Sequence, residues 1–305
     1  MNFLAAYIMK GRMQAIIVAS SLAVLSILLP PISIVSSATV ALVTLRHGGY
    51  EGLYVLFSAC LSAAILGFFL FGNFQFALLY GLVLWLPIWL ISIVLREGKH
   101  LSVAVNIAVL IGVVAVIGFY LYASDPAASW YGVLVQMIQP MVESGNAELP
   151  IEKINKSVQV FSHFMTGGIA AGSVYGLLFG LFLARWWQST LYNPEGFKKE
   201  YLELRAYPLV ALISLFVILI AWFTTGIVSE ACWNIAILFV VLYTFVGSAI
   251  LHTAFSLLKA KRFMVPFLYI TLVLVPHMIA IVVIIGFIDT WLDLRSKILN
   301  KSGTQ

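Results

Sequence analysis

Charge is the scarcest commodity in this chain: 10% of its 305 residues are charged, where a soluble globular protein has roughly a quarter. So little charge excludes a surface that faces water on all sides. Cysteine is almost absent too. Cys60 and Cys232 both fall in or beside apolar runs, which leaves nothing for a disulfide framework or a zinc ligand set. The sequence also lacks HExxH, GxSxG and GxxxxGK[ST], the signatures of a zinc protease, a serine hydrolase and a phosphate loop. No catalytic residue, cofactor or metal ligand is therefore assigned, and the expectation is a non-enzymatic protein. Active transport would need ion coupling or a separate energising subunit. His163, His252 and His277 lie in different segments, and the expected role of each is a helix-to-helix hydrogen bond.

What the chain has in abundance is apolar residues, 62% of the total, with a mean hydropathy of +1.05. Nine apolar segments emerge, at about 13–29, 32–45, 53–72, 74–95, 101–123, 157–185, 207–227, 231–257 and 264–288. Several exceed the ~18 residues that mark a transmembrane helix. The fold class is an all-α polytopic bundle, a single integral membrane domain over 1–305 with about 8–9 membrane segments. Pro30-Pro31 separates the first two, which can be two thin spans, a re-entrant pair or one kinked span. The net charge of +5 reports orientation rather than nucleic-acid binding. With nine spans and the N-terminus inside, twelve of the 17 basic residues fall on inner segments. The other five are Lys153, Lys156, Arg295, Lys297 and Lys301, outside. The positive-inside bias favours this orientation in a bacterial inner membrane.

Boundaries and surface elements follow. Arg185, Trp186 and Trp187 end the sixth segment and read as a membrane boundary, indole in the headgroup layer and guanidinium toward water. Asn193 reads as an N-cap with Pro194 at the first helical position, so 194–205 is expected to be an amphipathic helix on the inner surface. Over 127–144, Trp130, Val133, Leu134, Met137, Ile138 and Met141 recur at helical spacing, an outer surface helix. Pro150 opens a helix that can run to about 186, its first turns standing above the membrane and holding the outer helix like a lid.

Gly168, Gly172, Gly176 and Gly180 recur every fourth residue, and Ala184 continues the series. Small residues let another backbone approach, so this face is expected to pack a helix or a subunit. Ala15, Ala19 and Ala23 form a weaker series. Polar residues within a membrane are costly, and they collect toward the outer half: Thr224, Thr225, Glu230, Trp233 and Asn234 around one turn, His163 at the same depth, Asp125 and Asp289 at segment ends. His163, Glu230, Trp233, Asn234 and Asp289 are the candidate ligand-binding residues of an outward-open pocket.

The stretches LRHGGYEG (45–52), RWWQSTLYNPEGF (185–197) and GFIDTWLDLR (286–295) resemble the YybS-like family of bacterial membrane proteins. That family is placed near the substrate-binding S subunits of energy-coupling-factor transporters and near the rod-shape protein MreD. The resemblance implies an S-subunit-like helical core, a site open to the outside and membrane partners, with Ala15, Ala19 and Ala23 as a docking face for a coupling subunit served by a separate ATPase. The leading expectation is a small-molecule binding component for uptake, alone, as a homo-oligomer or with that coupling subunit. The alternative is an MreD-like scaffold of envelope assembly.

Overall fold

The computed structural model describes residues 2–143, 151–256 and 261–302, and among them every regular element is a helix. In chain order these are α1 (Asn2–Ile8), α2 (Arg12–Leu25), α3 (Ile32–His47), α4 (Gly49–Phe71), α5 (Gln75–Tyr80), α6 (Leu86–Gly98), α7 (Leu101–Tyr122), α8 (Pro126–Glu143), α9 (Ile151–Ser162), α10 (Met165–Tyr192), α11 (Gly196–Leu202), α12 (Pro208–Phe223), α13 (Gly226–Ser256), α14 (Lys261–Leu274), α15 (His277–Leu292) and α16 (Leu294–Ser302). A wide π turn, Gly81–Trp85, joins α5 to α6 without a break. Pro87 explains it: lacking an N–H, it cannot bond the Val83 carbonyl, and the helix widens so that Leu86 N–H reaches Gly81 instead.

Five helical stretches are long and apolar enough to cross a membrane: α4, α5–α6, α7, α10 and α13. Helix α12, with 16 residues, makes a sixth connection between the two ends of the bundle. Its start follows Arg205, whose N–H donates to Ser102 Oγ at the start of α7. Its end leads into the turn before Glu230, which is bonded to Tyr120 near the end of α7.

The other apolar helices among the described residues are shorter, so the structure shows five long spans and not the whole of the expected 8–9 segments. Arg12, opening α2, pairs with Glu51, just beyond α3, through Nε–Oε2 at 2.7 Å and Nη2–Oε1 at 2.5 Å. The two open ends of the α2–α3 pair therefore lie side by side, a hairpin with Pro30-Pro31 in its turn. Ser36 Oγ ties it together by donating to the Ala19 carbonyl at 2.7 Å. Helix α3 lies along the second half of α10, with Ile34 and Ser37 beside Gly180 and the Leu45 carbonyl bonded by Gln188. The expected single segment 264–288 is likewise two helices, parted at Val275-Pro276. Helix α15 lies directly on α13, where a methyl group at Gly247 or Gly286 would collide with the backbone of Val282 or Tyr243. It ends where Asp293 pairs with Arg205 at 3.0 Å, and Arg295 then donates to the Leu202 and Leu204 carbonyls. The C-terminal helix thus sits at the α11 end, not the opposite one. At 14 and 16 residues these four helices reach about 21–24 Å, as α12 does, against a ~30 Å hydrocarbon layer. Unlike α12, each pair returns to the end it left, at Arg12–Glu51 and at Arg205–Asp293.

At the Glu230 end, α8 packs on α9, and Trp130 Nε1 donates to Thr166 Oγ1 at 2.9 Å. Pro150 and residue 144, expected to bound these helices, lie outside the described residues. The one long helix expected to reach about 186 is interrupted at His163-Phe164. The inner surface helix is shorter than expected, beginning at Gly196 after Glu195 in a left-handed conformation (φ 69°). Asn193 does not cap it. Ser189, on the preceding helix, does that work: its Oγ accepts from Phe197 N–H at 3.2 Å and donates to the Asn193 carbonyl at 2.7 Å.

Candidate functional site

Three of the five predicted ligand residues meet. The Asn234 side chain, fully buried on α13, accepts from Gly167 N–H at 2.5 Å. Its amide group donates toward Tyr120 Oη, the His163 carbonyl and the Glu230 carbonyl at 3.0, 2.7 and 2.8 Å. Glu230 Oε1 accepts from the Tyr120 hydroxyl at 2.7 Å, and Oε2 lies 2.6 Å from His163 Nδ1. Both Glu230 carboxylate oxygens, the Tyr120 hydroxyl, the Asn234 amide and His163 Nδ1 are each engaged by another member of this cluster. It clamps α7, α10 and α13 together, and the clamp needs glycine at 167, because a Cβ there would sit 2.6 Å from the Asn234 carbonyl oxygen. His163, half exposed, also borders a polar cavity of about 440 Å³ with Asp125, Gln159 and Ser162, but Glu230, Trp233 and Asn234 do not line it. Asp289 is elsewhere: it accepts from Leu294 N–H at 2.8 Å and faces Arg295, at the α11 end. Tyr120, the clamp's fourth member, gave no sequence signal beyond an aromatic near a helix end.

The larger space lies in the other half of the bundle. A half-open cavity of about 620 Å³ is bounded by α10, α11, α13 and the α14–α15 hairpin. Phe179, Phe182 and Phe245 line one side, the Phe182 and Phe245 rings meeting edge to face at 5.1 Å. Beside Phe245 a narrow polar strip runs along α13: Thr244, Ser248 and His252, spaced by four residues. Tyr201 on α11 closes the floor, its Oη 2.7 Å from Ser248 Oγ. Burial pushes the Tyr201 phenol well above its usual range, so it stays a neutral hydrogen-bonding group. The His252 ring stands edge-on to Tyr201 and Tyr269, at 5.5 and 5.6 Å. Its Nε2, buried, has no partner among the described residues, so the expected helix-to-helix hydrogen bond is not formed there. A polar atom without a partner in an aromatic chamber suits a ligand with one hydrogen-bonding group on an apolar body. The spacing of Thr244, Ser248 and His252 within an apolar run was the available sequence signal.

The boundary residues divide. Trp186 is partly exposed, but Trp187 is buried at 1%, a packing residue rather than an interfacial one. Arg185 does not extend to water. It forks onto Glu200, Nε–Oε2 at 2.8 Å, and donates to Gln188 Oε1 at 2.7 Å. The glycine series divides as well. A Cβ at Gly168, Gly172 or Gly176 would meet nothing, whereas Gly180 packs on Ser37 and Ala184 is fully buried. Rows of every fourth residue are inclined to the helix axis, so the stripe winds from the outside of the bundle into its interior. Ala15, Ala19 and Ala23 are fully buried where α2 meets α3 and α4, so they form no exposed docking face. Among the described residues no three His, Cys, Asp or Glu side chains are placed to hold a metal ion. No family model, curated protein or solved structure matches the chain.

Proposed function

We propose that this multi-pass membrane protein is a non-catalytic binding component for a small amphipathic molecule, which enters the aromatic cavity between α13 and the α14–α15 hairpin. The observation that carries this reading is the cavity itself: about 620 Å³, within the ~300–1,000 Å³ range of small-molecule sites, walled by aromatic rings and holding the unpartnered His252 Nε2. The approach is lateral, through the half of the bundle that holds α11, and the polar cluster at the other end works as a clamp. Uptake in a bacterial inner membrane, with a coupling subunit and its ATPase, is the transport role that fits a chain without a phosphate loop. Native mass spectrometry of gently purified protein tests the idea. The parent should carry a co-purified amphiphile, and Thr244→Trp, which fills the cavity, should lose it while remaining folded. Retention of the same adduct by Thr244→Trp would sink the proposal.

A second reading, an MreD-like scaffold, draws on the open face at Gly168, Gly172 and Gly176, against which a helix of another subunit would fit. Gly172→Cys should then form an intermolecular cross-link in membranes. Its absence under oxidant would favour the binding component.

A further inference from the structure

The α11 end holds a second, polar site that is independent of the aromatic cavity. Two crevices of about 210 and 220 Å³ adjoin there, Lys99 and Glu200 bordering both. Four cations from separate segments line them: Arg96 from the end of α6, Lys99 from the α6–α7 turn, Arg185 from α10 and Arg205 from the turn after α11. Glu200 and Glu203 line them too, and Glu200 is committed to Arg185. Arg96 donates to the Leu45 carbonyl at 2.6 Å with Glu97 3.6 Å away, and Arg205 pairs with Asp293. Lys99 makes no ion pair among the described residues.

The backbone at Lys99 is the telling feature. It caps α6 in a left-handed conformation, φ 55°, the position that glycine occupies most easily because it has no Cβ. The chain holds a lysine there against its backbone preference, and the side chain borders both crevices. A strained residue held at a cleft is a pointer to function. We infer that this crevice binds a phosphate group, held by the Lys99 ammonium with the Arg96 and Arg185 guanidiniums around it. Two sources offer that group: the headgroup of an anionic lipid, since basic pockets between helices suit such headgroups, or a soluble phosphate.

The test uses full-length protein in phosphatidylcholine nanodiscs, following thermal unfolding with phosphatidate, with inorganic phosphate, or with oleate as a carboxylate of like charge. Phosphate in either form should raise the unfolding temperature of the parent. Lys99→Gly removes the charge and relaxes the backbone, so it should fold at least as well yet lose more than half of that rise. Lys99→Arg should keep it, and so should Lys153→Gln on α9 at the opposite end. A rise with phosphatidate alone assigns the site to a lipid headgroup, and a rise with inorganic phosphate assigns it to a soluble ligand. An equal rise with oleate, an equal rise in Lys99→Gly and parent, or no rise at all overturns the inference.

Discussion

Water hardly reaches the pair formed by Asp289 and Arg295, whose side chains are 3% and 5% exposed. Burial works against the charge on Arg295 and the carboxylate beside it favours that charge, so neither residue is replaceable alone. Removing one member of a buried pair leaves the other uncompensated, at a cost of about 3–5 kcal/mol. Arg295→Leu should therefore lower stability by that amount in chemical denaturation of the detergent-solubilised protein, and it would also strip the Leu202 and Leu204 carbonyls of their donor. Asn234→Ala, which takes the partner from Gly167 N–H and from the His163 carbonyl, should cost about 1–3 kcal/mol for buried groups left unpaired. The gathering of Glu230, Asn234 and His163 was legible because each is a polar residue interrupting an apolar run near one depth. That they satisfy one another was not legible, since whether a buried polar group faces a ligand or a neighbouring helix depends on rotation about axes that spacing leaves open. Asp289 was misplaced for a different reason: its depth was counted along a segment taken as one span.

Among the elements, α10 shows how far a pattern of small residues can be read. The every-fourth-residue repeat identified a helix correctly, but the series winds around it, and the contact that matters most, at Gly167, lies off the series. Gly167→Ala should destabilise the folded protein strongly, because the methyl group meets the Asn234 backbone. Gly172→Leu should fold with nearly the parent's thermal stability in detergent, because nothing in this chain occupies that space. If the ranking came out reversed, the placement of α10 against α13 would be wrong. The helices were largely legible from hydropathy, which reports solvent and length. The interruption at Val275-Pro276 had its signal in Pro276, outweighed by an apolar character that continues through it, whereas no proline or glycine stands at His163-Phe164.

For the whole molecule, the described connections place α1, α11 and α16 at one end and the α8–α9 pair at the other. Arg295 and Lys297, expected outside, then join the basic residues of the α11 end, which strengthens the positive-inside bias. Single cysteines at Lys99, Lys198 and Lys297, in a background without Cys60 and Cys232, should all resist an impermeant thiol reagent in intact cells, while one at Lys153 should react. Labelling of Lys297 alone would put α16 across the membrane and undo the hairpin. The α2–α3 hairpin carries a further consequence, for the order of assembly. The main packing partner of α3, α10, begins at Met165, more than a hundred residues after the hairpin has left the ribosome. With chains made from the N-terminus at ~5–20 residues per second, the α10-facing side of α3 waits several seconds or longer while α4 and α6 already back the hairpin. A cysteine at Ser37, which faces Gly180 of α10, should react with a thiol reagent in nascent chains arrested before α10 and be protected in those arrested after Tyr192.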